Sequence, residues 1–443
     1  MAALVLLAAC TAVQDDDPTT TAPAGTATTA PGATTTAPEE TVPPTTLPPG
    51  TEELPEEIRQ VLGDLISVTE EVRQLEFIEQ PNVVVVTNDE LAQRVRDQLE
   101  EDLADLPADQ ALYRLLGLIE DETDLEALYT DLYSEQVAGY YDGDERELVV
   151  PAAEEGFTPL QRATLVHELT HSLTDQHYEF HSHYVDLLDS DRYDEASAYQ
   201  AVIEGDAVLA ELLYLQGLSA EEQADFFGES FDVDSEVFDS APQFIRDALL
   251  FPYDSGFLFV ERLYQTGGFE AIGEVYTSPP VSTEQIIDPE DYPDESVAEV
   301  EAPETVIDGY DLEYRSTWGE LGFGLMFDQF LSDDLSSTAS SGWGGDTYEV
   351  HFDGTDVALV LRYRGDSESD AAEMASALNE YVVSAMDTDD GSERDGGTAY
   401  TGDDNAWVAL EGSTVVFVAA SSPDAFEEAL AGVQPQTTDT TEG

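Results

Sequence analysis

The stretch HELTHSLTDQH, residues 167–177, holds two histidines four positions apart with a glutamate directly after the first. On an α-helix, positions i and i+4 share a face, so both imidazoles can reach one ion while the glutamate stands beside them. The flanking residues favour such a helix. Thr158 is a candidate N-cap, Pro159 suits the first helical position and Gln161 completes a capping box. Leu165, Leu169 and Leu173 repeat every fourth residue as one buried stripe. The chain has 6 histidines, and five of them fall between His167 and His183. Chance is a poor explanation for that density. His167 and His171 are therefore candidate metal ligands, and Glu168 is the candidate base that takes a proton from water.

Catalytic zinc needs a third protein ligand and one open position. His177 stands where metzincins, H-E-x-x-H-x-x-G-x-x-H, place their last histidine. Their glycine, which turns the chain out of the helix, is replaced by Thr174, a β-branched residue disfavoured at positive φ. If the helix continues, His177 lies about 9 Å along the axis from His171 and points roughly 120° away. The other candidate is Glu204, in AVIEGDAVLAELL, 33 residues after His171. A connection of that length suits a second, antiparallel helix. The small residues Ala201, Gly205 and Ala207 around it permit close helix approach. A charged group in so apolar a stretch needs a partner, and Glu204 is favoured over His177.

The pair HELTHSLTDQH and A-x-x-x-E-G-D-A resembles bacterial secreted or lipoprotein metallopeptidases of the gluzincin type. The matching stretch runs from Gly139-Tyr140-Tyr141-Asp142 to Ser282-Thr283-Glu284-Gln285, roughly a third of the chain. The resemblance implies that His167, His171 and Glu204 are ligands and Glu168 the base. It also implies a zincin-like fold. The chain departs from that group at Asp288, where the S-T-E-Q stretch would continue into a histidine before proline.

These residues lead to expectations about chemistry. The cofactor is Zn2+, and the reaction is hydrolysis of a peptide bond in a protein or peptide substrate. Tyr253, in FPYDSG, is the candidate donor to a developing oxyanion, with Tyr140 or Tyr141 behind it. Leu148 to Val150 are expected to form an edge strand that holds an extended substrate. Asp206 either supports a ligand histidine or takes a solvated or capping role. His177, His181 and His183 read as loop residues or supports to the site. The alternative function is a surface binding or adhesion lipoprotein that keeps zinc for structure. Glu168 argues against it, since a structural site needs no base.

Composition sets the setting. There are 97 Asp plus Glu against 14 Lys plus Arg, a net charge of -83, and every one of the 14 is Arg. Self-repulsion of that size is tolerable where salt screens charges within a few ångströms. The chain therefore reads as adapted to high salt, and nucleic acid is excluded as a partner because the surface repels phosphate. The 1 cysteine, Cys10, allows no intramolecular disulfide. It ends the apolar run MAALVLLAAC, which resembles a lipobox without a basic n-region, so Cys10 is the expected lipidation site. Residues 11–50 are a Thr/Pro-rich stalk that cannot form a core. The localisation expected is extracytoplasmic, lipid-anchored to the membrane.

The fold class expected is α+β. Residues 51–305 read as a mostly helical zincin-like domain with a small edge-strand hairpin at 140–150. The NVVVVT stretch (82–87) reads as a strand, and a second helix is expected at about Tyr193 to Gln216. Residues 306–433 read as a small α+β unit interrupted by a Gly/Asp-rich insertion at 387–405. Residues 434–443 read as a disordered tail, and no segment specifies an oligomeric state.

Overall fold

The computed structural model describes residues 55–102, 106–135, 139–152, 156–230 and 236–433. Cys10, the 11–50 stalk and the 434–443 tail lie outside the described residues. The chain is α+β. It begins with α1 (Glu56–Arg73), β1 (Asn82–Val86), α2 (Asn88–Asp102), α3 (Leu106–Leu115) and α4 (Leu125–Glu135). The hairpin β2 (Tyr140–Asp142) and β3 (Glu147–Pro151) follows, and the sheet order is β1-β3-β2. β3 is parallel to β1 and antiparallel to β2. This overturns one expectation. Leu148 pairs with Val83 on one side and Tyr141 on the other, so Leu148–Val150 are the middle of the sheet. The apolar run 148–150 is the mark of a doubly flanked strand. β2 is the free edge on that side.

The motif helix is α5 (Pro159–Tyr178), followed by α6 (Phe180–Leu188) and α7 (Tyr193–Gly217). Thr158 caps α5 as a full capping box with Gln161, and Leu165, Leu169 and Leu173 are fully buried. The helix continues through Thr174, whose hydroxyl donates to the Thr170 carbonyl inside the helix. It ends only at Glu179, which is left-handed at φ 51°. Next come α8 (Ala220–Ser230), α9 (Glu236–Ser240), α10 (Gln243–Thr277) and α11 (Glu284–Ile287). α7 and α10 touch backbone to backbone. A Cβ on Gly205 would lie 2.2 Å from the Gly256 carbonyl oxygen, and one on Gly256 would lie 2.2 Å from that of Ala201. Behind this pair, Arg73 and Asp206 form a fully buried ion pair at 2.8 Å, which Tyr276 joins through its hydroxyl at 3.1 Å.

The C-terminal part comprises β4 (Asp311–Ser316), α12 (Gly319–Asp328), α13 (Asp333–Ser340), β5 (Trp343–Phe352), β6 (Val357–Gly365) and α14 (Glu368–Ala385). It ends with β7 (Ser392–Arg394), β8 (Gly397–Thr401), β9 (Asn405–Glu411), β10 (Thr414–Ala420) and α15 (Pro423–Val433). The strands make one antiparallel sheet in the order β4-β5-β6-β10-β9-β8-β7. Side chains alternate across it. Leu359 and Leu361 join α14 and α3 in one core, while Ala358 and Val360 join Phe426 and Leu430 of α15 in another. The 387–405 insertion does not interrupt this unit; it extends the sheet. Asp395 and Gly396 both take positive φ, at 50° and 83°, which is the two-residue hairpin turn that Asp-Gly favours. Among the described residues no helix is long and apolar enough to cross a membrane.

Candidate metal centre

α5 and α7 bring the predicted ligands together. The Nε2 atoms of His167 and His171 lie 3.1 Å and 3.4 Å from one oxygen, Oε2 of Glu204. All three side chains are buried, Glu204 completely. The two imidazole planes cross at 84° with centroids 4.8 Å apart, as expected of residues one turn apart on one face. Among the described residues Oε1 of Glu204 and the Nδ1 atoms of His167 and His171 accept or donate no hydrogen bond. Leaving such atoms unmet in a buried site costs on the order of 1–3 kcal/mol each. A four-coordinate ion with bonds of ~2.0–2.1 Å sets neighbouring donors about 3.3 Å apart. The observed separations of Nε2 and Oε2 match that edge.

Two carboxylates border the histidine pair. One ligand atom each from His167, Glu168 and His171 lie within 4.8 Å of one another, so this buried group can hold a metal ion. Glu168, however, is already engaged: its Oε2 accepts the Tyr141 backbone N–H at 2.9 Å. Glu204 contacts both Nε2 atoms through one oxygen.

The electrostatics suit a cation. Burial alone would lower the His167 pKa, but the carboxylates of Glu204 and Glu211 reverse this and raise it well above the usual histidine range. Burial would raise Glu204, yet the charges of His171 and His167 hold it below the usual carboxylate range. Glu168 responds the other way. Burial pushes its carboxyl up, against the pull of His171 and His167.

The remaining candidates fall in different places. Tyr253 on α10 comes to the site, its ring 6.3 Å from that of His167 and tilted by 31°. Tyr141 reaches the site through its backbone, while its hydroxyl donates to Asp175 at 2.8 Å. His177 does not join. Its Nε2 lies 2.8 Å from the Glu76 carbonyl, on the side that continuation of the helix dictates. His181 pairs with Asp144 at 3.0 Å, and the His183 ring lies edge-on to Tyr199. Both belong to α6, not to a loop. Asp206 supports no ligand histidine and is not solvated, since it is fully buried against Arg73. The residue that sequence reasoning missed is Glu211, whose Oε2 lies 3.5 Å from Nδ1 of His167. Its signal was present: Glu211 falls seven residues after Glu204, two turns along the same face.

Comparison with known proteins adds one finding. Residues 307–430 match a domain of unknown function, DUF8575, which covers the β4–α15 unit and none of the metal centre. No curated protein and no solved structure matches the chain.

Proposed function

We propose that the chain is a zinc-dependent, zincin-like peptidase that hydrolyses peptide bonds. The observation that carries this reading is the convergence of His167 Nε2 and His171 Nε2 on Glu204 Oε2 with Glu168 alongside. Two imidazoles and one carboxylate are a zinc donor set that leaves a position open, and a closed structural site would not need Glu168. When bound, zinc supplies Lewis acidity that activates water and polarises a carbonyl. The chain's own residues do the rest. Glu168 accepts the water's proton and passes it to the leaving amine; its raised pKa suits it to both transfers. The Tyr141 N–H fixes the Glu168 carboxylate in place, and Glu211 orients His167 through Nδ1. The Tyr253 ring lies 6.3 Å from that of His167, which supports its role as donor to the oxyanion. The short edge strand β2 borders Glu168 and offers the main-chain groups along which a substrate strand can lie.

The acidic, lysine-free composition and the Cys10 lipobox-like run support action outside the cell, anchored by lipid and adapted to high salt. The test is cleavage of a denatured protein in molar salt by the wild-type chain and by Glu168→Gln. The reading predicts cleavage by the wild type and a loss of at least about 100-fold in the variant, with equal zinc content. Equal turnover in both would show that cleavage does not depend on Glu168 and would sink this reading, and none in a zinc-loaded wild type would support the non-catalytic binding role instead.

A further inference from the structure

A second group of carboxylates lies where α11, the loop after it and the C-terminal sheet meet. One oxygen each from Glu284, Glu295 and Asp366 lie within 4.8 Å of one another. Glu284 is only 5% exposed and Glu320, on the facing α12, is 7% exposed. Among the described residues, neither side chain has a hydrogen bond or an ion pair. The charged groups that face this pair are Asp194, Asp288, Asp291, Glu295 and Asp366, and every one is acidic. Arg262 is spent on Glu290, and Arg315, five residues before Glu320, on Glu349. Burying unpartnered carboxylates together is costly unless something positive sits among them. Burial and the surrounding acids raise the Glu284 carboxyl to about 9 and that of Glu320 to about 8, so each holds a proton unless a cation takes its place.

We propose that Glu284, Glu295 and Asp366 bind a calcium-class divalent cation that clamps the C-terminal sheet to the helices carrying the metal centre. The donor set is all oxygen, which suits a hard cation rather than zinc. Calcium accepts an irregular set of carboxylate oxygens at about 2.3–2.6 Å, whereas magnesium demands a tight octahedron. Asp366 is exposed and Glu295 partly so, which gives the ion its way in, while Glu284 closes the inner side. The connections make a clamp of it. Thr283, beside Glu284, donates to Asp194 of α7 through Oγ1 at 2.5 Å and through its backbone N–H at 3.2 Å. The Leu321 N–H of α12 donates to the same Thr283 oxygen at 3.2 Å. Ala298, in the loop after α11, donates to the Gly344 carbonyl of β5 at 2.7 Å. Asp366 begins the turn from β6 to α14. An ion held by these three residues therefore links α11, its following loop and the sheet. The proposal does not rest on the zinc reading.

The experiment is thermal unfolding of the full chain at fixed molar sodium chloride, with calcium or magnesium added at matched ionic strength. The variants are Glu284→Gln and Asp366→Asn, and zinc content is measured in each. Calcium is expected to raise the wild-type Tm with a saturable midpoint, and magnesium to do so less. Glu284→Gln keeps a neutral side chain of the same shape in place, so its Tm without calcium should match the wild type's while the calcium increment disappears. Asp366→Asn, on an exposed turn, should shift the calcium midpoint up by at least about tenfold. Zinc content should not change. Identical Tm values in calcium and magnesium for the wild type, or full calcium increments in both variants, would overturn the proposal.

Discussion

Glu204 and Glu211, seven residues apart on one face of α7, bracket the imidazole of His167. The first lies 3.1 Å from its Nε2 and the second 3.5 Å from its Nδ1. The contact to Nδ1 is too long for a good hydrogen bond, so Glu211 acts on the imidazole chiefly through its charge. A proton on Nδ1 facing Glu211 leaves the Nε2 lone pair pointing at the shared site.

Glu211→Gln should therefore weaken metal binding without removing a ligand. The expected loss is about 10–100-fold in zinc affinity, measured by competition with a chelator. The circular dichroism spectrum of the metal-loaded variant should match the wild type. Unchanged affinity would mean that Glu211 does not orient His167.

The same helix meets α10 at Gly205 and Gly256. Gly205→Ala would drive a methyl group against the Gly256 carbonyl, 2.2 Å away, and neither backbone can yield without separating the helices. A loss of about 1–3 kcal/mol is expected. Tyr253, one turn before Gly256, should move from His167 with it. Denaturant unfolding gives the first quantity, and metal affinity should fall alongside it. A variant as stable as the wild type would show that the contact relaxes freely.

Much of the fold was legible because local signals agreed with tertiary structure. The capping box at Thr158, the leucine stripe and the Asn82–Val86 strand emerged as expected. His167, His171 and Glu204 were legible because helical spacing and an isolated charge among apolar residues each have a direct physical reading. Other features depend on pairings that local sequence does not specify. That β3 lies between β1 and β2, not at the edge, is set by a parallel pairing across more than 60 intervening residues. The partner of Asp206 is Arg73, 133 residues away. The β7–β8 hairpin was hidden by Gly and Asp around its strands, although Asp395-Gly396 marked its turn.

Asp194 gives the fold a pH dependence. Burial raises its pKa to about 7, despite hydrogen bonds from Thr283 that lower it. The unfolded value is about 3.9. A raised carboxyl favours the folded state while protonated, so its contribution is full below about pH 4 and lost as pH rises through about 7. The difference is on the order of 4 kcal/mol. At constant molar salt, wild-type stability should fall across that window, and Asp194→Asn should show a flatter profile. Parallel profiles would exclude Asp194 as the source.

The claim that most needs testing is the identity of the third ligand. Zinc content, measured by mass spectrometry after dialysis, should be lost in Glu204→Ala and kept near one ion per chain in His177→Ala. Zinc retained in Glu204→Ala and lost in His177→Ala would contradict the account and return the third ligand to the end of α5.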